Sequence, residues 1–456
     1  MNRALASVLV LAVGAGTASA WEAQTTQAGL AEQAALASRL HKRLVTLGFS
    51  GGLFEPLTIP PADAPALIAD LHLLSPSHGA VPDGRGRQTA LAWVAAGAAL
   101  ADTPVSQAAN HFYDPLTHRG FERPSRGFGD YLLDTIDGVS LPERGVPAPD
   151  WVVDPKNPFN VDHFIDQYAK AVTSETPGER SRAMAGALIA AGAMMHVLGD
   201  LGVPARVRGD GAAQLDPLGG GYDDRGSRLE RMATLVYGRL GVPAPARTVT
   251  RVHLRDYFTS REGDGLADEI ARSYFSPNTL PQATLVGTGE IHPKLVRPLP
   301  ALPDKLNLVV ASRENGTTLR AADGTCLARY AYEHSVLTFS LDDDCMLEQL
   351  AAILPEVSAY ETGLLDFLLR GELAIAVSQQ VVVSAKGLGA GTLTLLVEDD
   401  RGVRHAIGSF AVAPGKDELA RVAAPTTGTR VVALYRGVDL AGEPLVAVGA
   451  LPLTTK

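Results

Sequence analysis

Cysteine is nearly absent. The 456 residues hold two, Cys326 and Cys345, which excludes a four-cysteine zinc site. No basic run occurs and the formal net charge is −10, which argues against a nucleic-acid groove, because phosphate binding draws on clustered Lys and Arg. Past the first twenty residues no stretch reaches the length of uninterrupted apolar sequence that a membrane-spanning helix needs. The glycine-rich stretch 209–226 is followed by neither Lys-Ser nor Lys-Thr, so it is not a phosphate loop. There is no internal repeat. What remains is an ordinary globular composition, 46% hydrophobic and 20% charged, in a chain long enough for two or three domains.

Residues 1–20 read as a signal peptide, with Arg3 as the positive start, Ala4 to Val13 as the short apolar core and Ala18-Ser19-Ala20 as the cleavage site. The expected mature chain starts at Trp21 and is secreted or periplasmic. No cysteine stands at the cleavage site, so no lipid anchor is expected. Export to an oxidising compartment would join Cys326 to Cys345.

A mainly helical body should fill 21–371. Residues 21–48 predict a helix with Thr25 or Thr26 as N-cap, Leu30, Ala34, Leu40 and Leu44 buried, and Gly48 as terminator. Further helices are expected from Ala62, with Leu67, Ile68 and Leu71 inward, and over Arg87 to Asp102, ended by Thr103-Pro104. Residues 120–160 read as a long surface loop anchored by Trp151. Asn160 to Thr173 leads into an apolar helix over 178–195, rich in Ala and Met, which Gly202 and Pro204 should end. Ser227 would cap the next helix, and short helices should follow over 252–281. A proline-rich connection over 286–304 then meets an irregular insertion with strand-like pieces at 305–346, stapled by the cysteines. The last helix, Leu347 to Leu369, carries Pro355, which should kink or divide it. From Leu373 the apolar period changes from 3.6 to 2, which predicts a small antiparallel β-sandwich-like domain over 372–456.

The central helix ends in HVLGD, placing His196 and Asp200 one turn apart on one face, where an imidazole nitrogen and a carboxylate oxygen reach one metal ion. Such a pair serves equally as a mutual hydrogen bond. HFYDP at His111 reads on its own as Phe112 and Tyr113 packed around a turn at Pro115. Glu230, three residues after Ser227, reads first as a capping-box glutamate.

Taken together, Trp21 at the expected mature N-terminus, Asp102, HFYDP and HVLGD resemble, in this order, the bacterial zinc-dependent phospholipase C family, whose all-helical fold fungal zinc-dependent single-strand nucleases share. The likeness covers 21–240 and extends more loosely to 371. It implies a phosphodiesterase that hydrolyses a phosphoester by metal-activated water, with a phospholipid or other phosphoester as partner and possible peripheral membrane contact. Asp102, His111, His196 and Asp200 would hold one Zn²⁺, with Asp102 also orienting or deprotonating the water. A second zinc would take Trp21 and Asp200, but Gln27 stands where the family has histidine, and amides are poor zinc ligands. At a third site Arg206 replaces histidine and Glu230 supplies the acid. A guanidinium repels a metal, so Arg206 should instead bind phosphate or pair with Glu230. A catalytically impaired relative, acting as an envelope or lipid-binding module, is the alternative this ligand loss implies.

Overall fold

The computed structural model describes residues 23–73, 81–123, 142–211, 213, 228–282, 284–285, 317–321, 323–333 and 336–453. The expected signal peptide, Trp21, Ser227 and the connection 286–304 lie outside the described residues, as do most of 209–226 and 124–141. The helical body contains α1 (Ala28–Ala37), α2 (Leu40–Leu47), α3 (Pro65–Leu73), α4 (Ala90–Leu100), α5 (Val161–Thr173), α6 (Pro177–Gly199), α7 (Arg228–Val236), α8 (Leu266–Ser273) and α9 (Asp343–Leu368).

The centre of the body is α6. Its start is set by a reciprocal cap: the Thr176 side chain accepts from the Glu179 N–H, and the Glu179 carboxylate accepts from the Thr176 N–H. From Ala183 to Met195 no polar side chain interrupts it, so every face can be buried. By length and composition 177–202 could cross a membrane, but 94% of its apolar window is buried inside the fold, which makes it a core helix. The α-helix ends at Gly199, Asp200–Gly202 continue as a 3-10 turn, and Pro204 opens a further short helix rather than terminating this one.

Helices α4 and α6 cross at two glycines. A methyl group on Gly97 would lie 2.1 Å from the Ile189 carbonyl oxygen, and one on Gly192 would lie 2.0 Å from that of Val94. Contact this close between backbones carries the end of α4, and with it Asp102, up to the last turn of α6.

Several expected boundaries move. The first helix is not continuous and neither Thr25 nor Thr26 caps it: a π-helical turn spans Ala23–Gln27, and Ser38, in extended backbone, separates α1 from α2. Gly48 closes α2 at φ 99°, in the left-handed region. The expected helix 87–102 loses its first three residues to a strand, Arg87–Thr89, which pairs with Pro56–Thr58, and Thr89 becomes the N-cap of α4. Pro355 does not divide α9, which runs unbroken for 26 residues. Burial of Leu354, Val357, Leu364 and their neighbours outweighs the roughly 3 kcal/mol an interior proline costs. The strand-like pieces expected in the insertion form a sheet in which Cys326–Glu333 lies between Thr317–Arg320 and Val336–Ser340, and Cys326 is bonded to Cys345.

Beyond α9 the chain is built of strands, the first at Gly371–Glu372. A five-stranded sheet, ordered 404–412, 388–398, 430–439, 444–452, 371–372, faces a three-stranded sheet of 418–423, 380–384 and 374–377. All pairings are antiparallel except that of 371–372 with 447–448. Val431, Ala433 and Tyr435 point into the sandwich, whereas Val432 and Leu434 join the helical core, so both faces of the sheet are covered. Arg404 pins the contact by donating to the carbonyls of Val172 (2.6 Å) and Leu47 (2.8 Å).

Candidate metal centre

Four side chains from three segments meet at the end of the α4–α6 crossing. Asp102 follows α4, His111 follows the 3-10 turn Val105–Asn110, His196 occupies the last turn of α6 and Asp200 is its C-cap residue. All four are buried, and one ligand atom from each lies within 4.8 Å of the others. His111 Nδ1 is 2.9 Å from Asp200 Oδ2 and 3.1 Å from Asp102 Oδ1, while His196 Nε2 is 3.2 Å from Asp200 Oδ2 and 3.4 Å from Asp102 Oδ2. Donors about 2.1 Å from a tetrahedral ion sit roughly 3.4 Å apart, close to these separations.

The orientation of His196 is set by its surroundings. Its Nδ1 donates to the Ala98 carbonyl at 2.6 Å, which directs Nε2 at the carboxylates. Good hydrogen-bond geometry is not reached at either Asp102 oxygen or at His196 Nε2, so among the described residues these buried atoms meet through ion-pair contacts. Charge is strongly coupled here. Burial favours neutral Asp102, but His196 and His111 outweigh it and hold the carboxyl well below the usual range. Burial likewise opposes ionisation of Asp200, while Arg206 and His196 bring it down to about 2. Burial would lower His196, but Asp200 and Asp102 raise it to about 10.

The remaining expected ligands do other work. Gln27 reaches Asp200 through nitrogen rather than oxygen, since its Nε2 donates to Asp200 Oδ1 at 2.6 Å and to the His196 carbonyl at 3.4 Å. Arg206 NH1 donates to Asp200 Oδ2 at 2.9 Å, its Nε lies 3.8 Å from Glu230 Oε1, and the guanidinium sits 4.7 Å over the Phe112 ring. Glu230 therefore faces Arg206 and stands outside the four-residue group, because a buried guanidinium demands a carboxylate before a metal does. Trp21 lies outside the described residues.

Glu361 on α9 is the residue that sequence reasoning missed. It is buried beside the group, both its oxygens lack partners among the described residues, and burial pushes its carboxyl well above the ordinary range. A methyl on Gly199 would lie 2.4 Å from Glu361 Oε1 and 3.0 Å from Gln27 Oε1, which accounts for the glycine in HVLGD. The available signal was its position: Leu354, Val357, Glu361, Leu364 and Leu368 repeat at helical spacing, placing an acid on an apolar stripe.

The fold is thus a helical body followed by an antiparallel-rich sandwich, with a buried Asp/His group able to bind a metal. The sequence matches no protein-family model and no curated protein. Two solved structures align with it along most of their length. They are alpha toxin from Clostridium absonum, at 13% identity with 96% of both chains covered and a TM-score of 0.29, and alpha toxin from an avian strain of Clostridium perfringens, at 11% identity with 96% of this chain and 100% of that one covered and a TM-score of 0.32. The relation is a distant one, and nothing about the chemistry is drawn from it.

Proposed function

We propose that this chain is an exported zinc-dependent phosphodiesterase of phospholipase C type, acting on a phospholipid or other phosphoester. The observation that carries the reading is the convergence of Asp102, His111, His196 and Asp200 in a buried group whose nitrogen and oxygen atoms lie 2.9 to 3.4 Å apart. Two carboxylates with two imidazoles make a donor set suited to Zn²⁺. Once bound, zinc would supply Lewis-acid polarisation of a phosphoryl oxygen and a more acidic water. The chain's own share is positioning: Ala98 aims His196, Gln27 and Arg206 steady Asp200, and Asp102 orients the attacking water.

The test is the metal content of the exported protein after gentle purification, read beside hydrolysis of a chromogenic phosphodiester. We expect one tightly held zinc per chain, and loss of both zinc and activity in His196→Ala. Protein purified without zinc, or a His196→Ala variant that keeps activity, would favour a catalytically impaired binding module instead.

A further inference from the structure

Arg206 has a second side. Besides Asp200 and Glu230 it borders a cavity of about 170 Å³, lined also by Phe112, Asp114, Thr117, Arg119 and Gly209. The acidic groups around this cavity are already engaged. The Asp114 carboxylate accepts from the Leu116 N–H at 3.0 Å and the Thr117 hydroxyl at 2.6 Å, and Glu122 pairs with Arg119 at 3.4 Å and Arg144 at 3.9 Å. The guanidinium is the buried positive charge on the cavity wall. It is held in one orientation by Asp200 on one edge and by Phe112 beneath its face.

We propose that Arg206 is an anion-binding residue, which takes a phosphoryl oxygen of a ligand lodged in this cavity while its other edge stays on Asp200. This inference rests on the proposed phosphodiesterase reading and adds where the phosphoryl group sits. A planar, permanently charged fork suits the task, since it can donate to a carboxylate and to a phosphate oxygen at the same time. The same arrangement limits the metal count. Gln27 Nε2 donates to Asp200 Oδ1 and Arg206 NH1 to Oδ2, so a donor already stands on each side from which Asp200 could bridge to another ion. A fixed positive charge in that place does part of what a second cation would do. It steadies Asp200 and attracts an oxyanion.

The test uses the full chain, with zinc content measured on every sample and inorganic phosphate titrated by calorimetry. Arg206→Gln removes the charge, and Thr117→Trp fills the cavity from its exposed rim without touching Asp200 or Glu230. We expect wild type to bind phosphate, both variants to weaken it about tenfold or more, and zinc to stay at one per chain in Thr117→Trp. Glycerophosphocholine titrated in parallel distinguishes a diester head group from free phosphate, and binding of either that is lost in both variants supports the proposal. Phosphate that binds equally to wild type and Thr117→Trp overturns it, even if Arg206→Gln fails to fold, and so does absence of binding to wild type. Zinc-free wild type that still binds phosphate through Arg206 would sink the metal reading alone.

Discussion

His196 Nδ1 donates to the carbonyl oxygen of Ala98 at 2.6 Å, a bond across the α4–α6 crossing that ties the geometry of the metal group to the packing of two helices. It fixes which nitrogen faces Asp102 and Asp200.

The first prediction concerns pH. Between the two carboxylates His196 stays charged up to about 10, against an ordinary 6.5. In zinc-free protein the charged ring therefore contributes stability that is fully present below about pH 6.5 and is lost as pH rises through about 10. The melting temperature of zinc-free protein should fall over that window. In zinc-loaded protein this fall should disappear, because the metal replaces the proton on Nε2. Calorimetric zinc titrations near neutral pH, in buffers of different ionisation enthalpy, should show proton release. Identical pH profiles with and without zinc would contradict the assignment.

Gly192→Ala should destabilise the helical body. Its methyl group would lie 2.0 Å from the Val94 carbonyl oxygen, and backbone on both sides must shift to admit it. Overpacking of this kind costs about 1–3 kcal/mol. Because the crossing aims His196, zinc affinity should fall along with the melting temperature. A variant with lowered stability but unchanged affinity would uncouple the two.

Glu361→Gln should stabilise. Burial holds this carboxyl well above its ordinary range, so at neutral pH the folded chain must keep it protonated. Its contribution is complete below the unfolded value of 4.5 and declines as pH rises, whereas glutamine needs no proton. We expect the variant to gain about 1–3 kcal/mol at about pH 8 and to match wild type in acid. A lower melting temperature for the variant at about pH 8 would mean that an ionised Glu361 has a cationic partner.

Removing the Cys326–Cys345 bond with serines should cost about 3 kcal/mol in the chain-entropy model, given a sequence separation of 19. The loss should be confined to denaturation, with zinc content unchanged, since neither cysteine touches the metal group. Loss of zinc from the double-serine variant would contradict that separation.

Much of this architecture is legible in local pattern. The apolar run 183–195 can only be a buried helix, the period-2 stretches beyond Leu373 can only be strands, and a single turn of helix puts His196 and Asp200 on one face. Local pattern failed where tertiary packing overrode it. Pro355 sits inside an unbroken helix because α9 is buried along most of its length.

By itself the sequence determined the helical body, the sandwich and the shared face of His196 and Asp200, because helical pitch and strand alternation act over a few residues; Asp102 and His111 joined that pair only through the family resemblance. Only the tertiary structure decided what surrounds that group. Gln27 turns its nitrogen to Asp200, Arg206 lies between Asp200, Glu230 and a cavity, and Glu361 arrives from a helix 161 positions beyond Asp200 (361 − 200). These partners are set by where helices cross, and the crossing depends on close backbone contacts at Gly97 and Gly192, while Gly199 leaves room for the side chains of Glu361 and Gln27. Packing of that kind is a property of two surfaces meeting, which no single stretch of chain encodes.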